Sequence, residues 1–251
     1  MSIEKQEKMF HALHEWFKTP AGELVAEAFN RELKTLTDVL HGESLLQLGC
    51  CGDNLWLPEL RYMHKWVASP NADSDKTVLL TSLNQLPLQR DSVDCLLAPL
   101  TINAFRQNAQ LFDEMDRVLK PMGYIIFLAV NPVSLWGLWL KISRSNFFAS
   151  KETGLHSSLF TQRAITHRGY QICHLSNFYY IPPISDKKTL KGLSILNVIG
   201  KMISPLPSGF YCLIVQKLQE DFLLPPLVNQ KESAVNTPIS TLSPACQQKN
   251  T

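Results

Sequence analysis

The spacing of apolar and polar positions predicts two amphipathic helices at the start of the chain. Apolar residues recur at three- and four-residue steps between residues 5 and 17, which is typical of a helix with one buried face. Thr19-Pro20 interrupts this pattern, because proline ends one helix and readily opens the next. A second apolar stripe runs from Val25 to Leu40, and we expect His41-Gly42 to end that helix.

Five short apolar runs then follow, and they predict strands at Leu45–Leu48, Trp66–Ala68, Val78–Leu80, Val93–Ala98 and Tyr124–Val130. The last two are continuous enough to be buried on both faces. Between them the spacing predicts a helix over 111–119, which Lys120-Pro121-Met122-Gly123 closes. Strand, helix and strand in this order favour a parallel α/β sheet, which binds its ligand at the carboxyl ends of its strands. We therefore expect function in the loops after Leu48, Leu80, Ala98 and Val130.

The remainder of the chain predicts a helix over 160–167, a strand over 172–181, a helix over 190–203 and a last strand over 210–218. The segment beyond Pro225-Pro226 has little apolar content, which is typical of a disordered tail. We thus divide the chain into an N-terminal helical extension (1–43), an α/β domain (44–218) and a tail (219–251).

Composition, charge and cysteine spacing exclude several classes of function but do not identify one. The chain has 251 residues, 45% hydrophobic residues and a net charge of +2, which gives no reason to expect a nucleic-acid partner. The N-terminus does not read as a secretory signal, and no apolar run is long enough to span a bilayer. The six cysteines form no C-x-x-C pair and the histidines are dispersed, so we expect no metal site and a cytoplasmic location.

Three segments could carry chemistry. The first is LLQLGCCGDN (residues 45–54), where glycines after a strand allow close backbone approach to a ligand and a helix starting near Asn54 would add free N–H groups. A tight turn without a ligand explains it equally well. The others are LPLQRDSVDCLLA (86–98) and FDEMDRVLKPMGYIIFLAVNP (112–132), each compatible with mere scaffold.

Taken in order, these three segments resemble the class I S-adenosylmethionine-dependent methyltransferases of the type 11 group. The chain is also similar to a bacterial subfamily of about this length. The shared motifs are WFKTPAG at residues 16–22, LLQLG at the first strand and NPVSLWGL at residues 131–138. The resemblance covers about residues 9 to 218.

This resemblance implies a doubly wound, mostly parallel seven-stranded sheet of the Rossmann-like kind, with its last strand antiparallel and S-adenosylmethionine across the strand tips. By position, the methionine end would meet residues 47–53, the adenine residues 81–83 and the sulfonium residues 98–100. The implied cofactor residues are Gln47, Gly49, Cys51, Gly52, Asp53, Ser82, Leu83, Ala98 and Leu100. We expect Gly49→Val to abolish cofactor binding.

The chain departs from the wider class at five positions, two of which are Cys51 and Asp53, where the class has glycines. Gln47 stands where the class has an acid, and Ser82 stands where an Asp commonly contacts the adenine amine. No acid ends the second strand around Ala68-Ser69-Pro70 to bind the ribose, although Asp73 and Asp75 lie close by. Each lost charge-assisted hydrogen bond costs about 1.5–3 kcal/mol.

For the acceptor side, methyl transfer from a sulfonium mainly requires alignment, and no unambiguous base appears in the tip loops, so no catalytic residue is assigned. Asn131, Ser134 and Trp136 are the candidate substrate residues. The aromatic residues Trp136, Trp139, Phe147 and Phe148 could cover a substrate, but simple packing is favoured for them.

The functional hypothesis is a cytoplasmic methyltransferase with a small-molecule or lipid-like acceptor. The alternative is a methyltransferase-like scaffold that has lost turnover and acts as a binding or regulatory protein. Contact of residues 141–144 with a membrane surface ranks third. A nicotinamide-dependent dehydrogenase is disfavoured, because Gly49-Cys50-Cys51-Gly52 does not match G-x-G-x-x-G.

Overall fold

A single mixed sheet forms the centre of the protein. The computed structural model describes residues 1–37, 40–71, 78–142, 148, 154–183 and 207–218, all within one compact unit, Met1–Gln219. The strands are β1 (His41–Leu48), β2 (Arg61–Ser69), β3 (Leu79–Leu80), β4 (Val93–Pro99), β5 (Leu119–Val130), β6 (Tyr170–Phe178) and β7 (Phe210–Lys217). The α-helices are α1 (Ile3–Phe17), α2 (Pro20–Lys34), α3 (Thr101–Ala104), α4 (Ala109–Val118), α5 (Leu135–Ile142) and α6 (Ser158–Thr166).

The strand order is β3-β2-β1-β4-β5-β7-β6, and the five strands β3, β2, β1, β4 and β5 are parallel to one another. The last strand, β7, runs antiparallel to both β5 and β6. The predicted fold class is therefore confirmed. Because β1, β2 and β3 are parallel, their carboxyl ends meet at one edge, and the loops after Leu48 and Leu80 lie there together.

The two N-terminal helices are confirmed, with the predicted break between them. Thr19 caps α2 by accepting a hydrogen bond from the Gly22 N–H (3.2 Å), and Pro20 occupies the first helical position. The predicted end of α2 is wrong: the helix ends at Lys34, and His41-Gly42 begins β1. Leu36 and Leu40 are buried outside the helix, so they extend the apolar stripe without extending the helix.

The βαβ unit formed by β4, α4 and β5 is confirmed, and both strands are largely buried. The segment Lys120-Pro121-Met122-Gly123 is part of β5, whereas a turn was predicted. A register shift between Val93 and Cys95 accommodates it, since β4 pairs with Leu119 and then with Tyr124. The predicted helix over 190–203 and the tail over 219–251 lie outside the described residues. The predicted boundary between residues 43 and 44 falls within β1.

None of the helices described in these ranges is long and apolar enough to cross a membrane.

Candidate functional site

The loop after β1 is a tight turn built on two glycines with left-handed backbone. Gly49 has φ +93° and Gly52 has φ +54°, conformations that side chains with a Cβ rarely adopt. The Gly49 N–H donates to the carbonyl of Ala68 in β2 (2.7 Å), which ties the start of the turn to the sheet. Both glycines face helix α1. A Cβ added at Gly52 would come within 2.9 Å of the Phe17 Cβ.

Gln47 holds this loop from beneath. Its Nε2 donates to the Gly49 carbonyl (2.8 Å) and to Asn54 Oδ1 (2.7 Å), and its Oε1 accepts from Trp56 Nε1 (2.8 Å). The side chain has no exposed surface. Every polar atom of the amide thus has a partner within the protein, and Gln47 braces the loop.

The helix expected to begin near Asn54 is not formed in the described residues 50–60. Asn54 has φ +48°, and its Oδ1 also accepts from the Cys51 N–H (3.0 Å). A single 3₁₀ turn at Leu57–Glu59 is the only helical structure there. The loop therefore lacks the helix N-terminus that would have offered free N–H groups to a ligand.

Helix α1 lies along the strand tips, and its Gln6 contacts the loop after β3. Gln6 Oε1 accepts from the Leu83 N–H (3.0 Å), and Gln6 Nε2 donates to Ser82 Oγ (2.9 Å) and to the Met1 carbonyl (3.3 Å). Gln6 and Leu83 have no exposed surface. The predicted adenine loop is thus hydrogen-bonded to the protein's own N-terminal helix.

Three further side chains of α1 contact the glycine loop. The ring of Phe10 lies directly on Gly49, and Phe17 lies on Gly52. Between them, His14 Nδ1 is 3.6 Å from Cys50 Sγ. All three α1 side chains are buried. The close approach of α1 therefore accounts for both glycines in the loop.

The two cysteines of the loop are buried free thiols. Burial raises the pKa of Cys51 well above its ordinary value, and the adjacent Cys50 raises it further. Cys51 Sγ lies 3.8 Å from the Pro99 carbonyl at the end of β4. A thiol that stays protonated is a poor nucleophile, so Cys51 packs against β4.

The remaining predicted cofactor residues lie at the same edge. Ala98 and Leu100 are fully buried, and Leu100 adopts φ +55° between β4 and α3. Thr101 Oγ1, which sequence reasoning did not single out, donates to the Leu48 carbonyl (2.5 Å) and joins the tips of β1 and β4. Asp53 is exposed. The fold thus brings the predicted cofactor residues to one edge, where Gly49, Gly52, Ser82 and Leu83 contact α1.

The three predicted substrate residues serve local structure in this conformation. Ser134 Oγ accepts from the Gly137 N–H (3.1 Å) and donates to the Asn131 carbonyl (2.6 Å), so it caps α5. Asn131 Oδ1 accepts from the Val133 N–H (3.2 Å). Trp136 is buried and donates to the Ile181 carbonyl (2.7 Å). Phe148 is also fully buried, while Phe147 lies outside the described residues.

The second and third sequence motifs are joined by one arginine. Arg117 donates to the carbonyls of Leu86 and Leu88 (2.7 Å each) and pairs with Glu114 (2.9 Å). Glu114 in turn accepts from the Leu86 N–H (3.0 Å). The hydrogen bond from Arg117 lowers the pKa of Glu114. This clamp fixes the segment Leu86–Leu88 on α4 and so joins the second motif to the third.

Comparison with known proteins identifies the domain. Residues 46–127 match the family described as "Methyltransferase domain". This match supports a class I methyltransferase domain of the type 11 group over residues 46–127. The matched segment runs from β1 into β5 and so includes both tip loops that α1 contacts.

Similar proteins extend the comparison of this methyltransferase domain to most of the chain. The uncharacterized protein YafS of Escherichia coli (strain K12) is 23% identical over 171 residues, which cover 66% of this chain and 69% of YafS. A SAM-dependent methyltransferase from Thermotoga maritima shares the fold with a TM-score of 0.60 and 17% identity, over 86% of this chain and 100% of that chain.

A more distant structural neighbour has ligands bound. The geranyl diphosphate C-methyltransferase of Streptomyces coelicolor A3(2), in complex with S-adenosyl-L-homocysteine, matches with a TM-score of 0.51 and 13% identity. That match covers 75% of this chain and 76% of that chain.

We name the space between the β1 loop (residues 49–54) and the Ser82–Leu83 loop the groove. S-adenosylmethionine, the cofactor this fold implies, does not fit this groove, because side chains of α1 contact both loops. The strand tips carry groups that suit the cofactor: two glycines, the Leu83 N–H as a donor and Ser82 Oγ as an acceptor. Side chains of α1 occupy the space in front of each of them. A pocket of about 660 Å³ opens beyond Gln6, beside Asn84 and Phe105. A smaller one, about 120 Å³, opens beyond Phe17.

The α1 residues that contact the groove were missed from the sequence. The apolar stripe of α1 was recognised, but periodicity does not show what a buried face packs against. Gln6 and His14 are polar residues on that stripe, and both are buried. A polar side chain on a buried helix face requires a hydrogen-bond partner, and that was the available signal.

Proposed function

We propose that this chain is an S-adenosylmethionine-dependent methyltransferase that acts on a small-molecule or lipid-like acceptor. The observation that carries the proposal is that the matched domain contains both the Gly49–Gly52 turn and the Ser82–Leu83 loop. The parallel strands bring these loops to one edge. Bound there, S-adenosylmethionine would supply a methyl group that is already activated for transfer.

The hydrogen-bonding groups of the Ser82–Leu83 loop suit an adenine ring. Adenine presents the N1 acceptor beside the N6 amino donor. The Leu83 N–H can donate to N1, and Ser82 Oγ can accept from N6. Gly49 and Gly52 would let the rest of the cofactor approach the backbone of the β1 loop.

The lipid-like acceptor is supported by an apolar surface next to the tip of β5. Val133, Leu135, Leu138 and Ile142, which we name the α5 surface, are exposed by 76%, 54%, 52% and 72%. Lys141 lies in the last turn of the same helix. Exposed apolar side chains beside a basic residue suit an acceptor with an apolar chain, or contact with a membrane surface.

A reducing, cytoplasmic location is part of the proposal. Cys50, Cys51, Cys95, Cys173 and Cys212 are free thiols, and Cys173 is exposed. Free thiols persist in the reducing environment of the cytoplasm.

A scaffold without turnover is the second candidate, and two observations favour it. The amide of Gln47 has no atom left to bind a cofactor, and α1 fills the groove. Such a protein would bind a partner or ligand without releasing a methylated product.

Equilibrium binding and methyl release separate the two candidates. We would titrate the full-length chain with S-adenosylmethionine and S-adenosyl-L-homocysteine by calorimetry, and then assay transfer of labelled methyl to extracted metabolites and lipids. The enzyme proposal expects binding of both ligands and at least one labelled product. Binding without product in any fraction would favour the scaffold. S-inosyl-L-homocysteine is the control ligand, because its N1–H would oppose the Leu83 N–H.

A further inference from the structure

Gln6 is the polar residue whose burial requires a specific explanation. It lies on α1 among buried apolar residues, and it is itself fully buried. A buried amide is costly unless its donor and acceptor are both paired. Its partners, Ser82 and Leu83, are 76 and 77 residues away in the sequence. The loop after β3 therefore supplies the groups that make the burial of Gln6 tolerable.

The hydrogen bonds between Gln6 and the Ser82–Leu83 loop have the same donor and acceptor arrangement that we expect for bound adenine. A glutamine amide presents an acceptor oxygen beside a donor nitrogen. The Leu83 N–H donates to the oxygen at 3.0 Å, and Ser82 Oγ accepts from the nitrogen at 2.9 Å. The adenine edge offers the same order of acceptor and donor. A single N–H group cannot serve both partners, so Gln6 and adenine would compete for Leu83.

Further side chains of α1 fill the rest of the groove. Phe10 lies on Gly49, and Phe17 lies on Gly52. Gln6 and Phe17 are eleven residues apart, which is about 16 Å along a helix. One helix face thus covers the groove from the Ser82–Leu83 loop to the β1 loop.

We infer that α1 is an internal competitor of the cofactor, in which Gln6 takes the place of the adenine edge. This inference rests on the proposed function. Cofactor binding then requires that the Gln6 side chain leaves Leu83 and that α1 moves off the β1 loop. The apparent affinity is reduced by the fraction of molecules in which the groove is closed.

The test is a calorimetric titration of three full-length chains with S-adenosyl-L-homocysteine. The chains are the wild type, Gln6→Ala and Glu7→Ala. The Gln6→Ala change leaves the Leu83 N–H buried without a partner when α1 is closed, which favours the open groove. We expect this variant to bind about five- to fifty-fold more tightly than the wild type. Glu7→Ala is the matched control, because Glu7 has the same side-chain length, is exposed on the same helix and should leave affinity unchanged.

Each other outcome has a definite meaning. If the wild type binds and Gln6→Ala binds equally or more weakly, the inference is overturned while the proposed function stands. Weaker binding by Gln6→Ala would make α1 a lid that contacts the cofactor. If no chain binds at millimolar ligand, the proposed function fails as well. Unfolding curves for the three chains, together with Gln6→Met, which keeps the side-chain length, show whether a change in affinity reflects loss of folded protein.

Discussion

The ring of Phe10 in α1 lies against Gly49 so closely that a Cβ at position 49 would overlap ring carbon Cε1. Gly49 also has φ +93°, so a side chain there is unfavourable for two separate reasons. The glycine of the predicted ligand loop is thus required by the protein's own helix. Loss of binding in Gly49→Val would no longer report on the ligand alone, because the valine would also displace α1.

Gly49→Ala should destabilise the protein by about 2–4 kcal/mol, since backbone strain and overlap with Phe10 add together. The matched control is Gly169→Ala. Gly169 has a similar φ of +81°, but nothing lies within 4 Å of an added Cβ, so only strain of about 1 kcal/mol is expected. Urea unfolding of both variants measures the difference. Equal losses at the two positions would show that Phe10 does not press on Gly49.

Placing at position 47 the acid that the resemblance to the wider class implies should destabilise this chain. In Gln47→Glu a carboxylate would face the Gly49 carbonyl and Asn54 Oδ1, two acceptors that now receive hydrogen bonds from the amide. We expect a loss of about 3 kcal/mol, measured by urea unfolding. Gln85→Glu, at an exposed position, is the control and should change stability little. A Gln47→Glu chain as stable as the wild type would mean that Gln47 does not brace the loop.

Sequence reasoning found the parts of the fold that depend on local pattern. The continuous apolar runs of β4 and β5, with an amphipathic helix between them, predicted a parallel sheet because few other folds bury such runs. The end of α2 was misplaced because Leu36 and Leu40 are buried in irregular chain, where they imitate the helical period.

The site was harder to predict because its decisive contacts are between segments far apart in sequence. The residue types in LLQLGCCGDN suggested a ligand turn. They did not reveal that Gln47 would hydrogen-bond to both Asn54 and Trp56, or that no α-helix would begin there, in the described residues 50–60. That Gln6 pairs with Leu83 depends on how α1 packs on the sheet, which periodicity does not encode.

Arg117→Lys should lower stability by about 1–3 kcal/mol, because a lysine cannot bind two carbonyls and a carboxylate in the same fixed geometry. The affected partners are Leu86, Leu88 and Glu114. Arg163→Lys, on the exposed side of α6, is the control and should change stability by less than about 0.5 kcal/mol. Chemical denaturation of both variants measures the two losses in the free energy of unfolding. Similar losses for both variants would show that Arg117 does not clamp the segment Leu86–Leu88 to α4.

The clamp should also give stability a specific dependence on pH. Hydrogen bonding to Arg117 holds the pKa of Glu114 below its ordinary value of 4.5 in the folded protein. Because the pKa of Glu114 is lower in the folded than in the unfolded protein, its ionised carboxylate stabilises the fold. This stabilisation is fully present above pH 4.5 and is lost as the pH falls through the folded-state pKa. The free energy of unfolding of the wild type should therefore exceed that of Glu114→Gln by an amount that shrinks below pH 4.5. A constant difference between pH 6 and pH 3 would contradict this.

Amide hydrogen exchange with and without saturating S-adenosyl-L-homocysteine tests the competition between α1 and the cofactor most directly. We predict that the ligand lowers the protection of α1, residues 3–17, and raises that of the loops at residues 49–54 and 81–84. This opposite change follows because the ligand replaces α1 at the strand tips. Increased protection of α1 on binding, or no change in any of these segments at millimolar ligand, would contradict it.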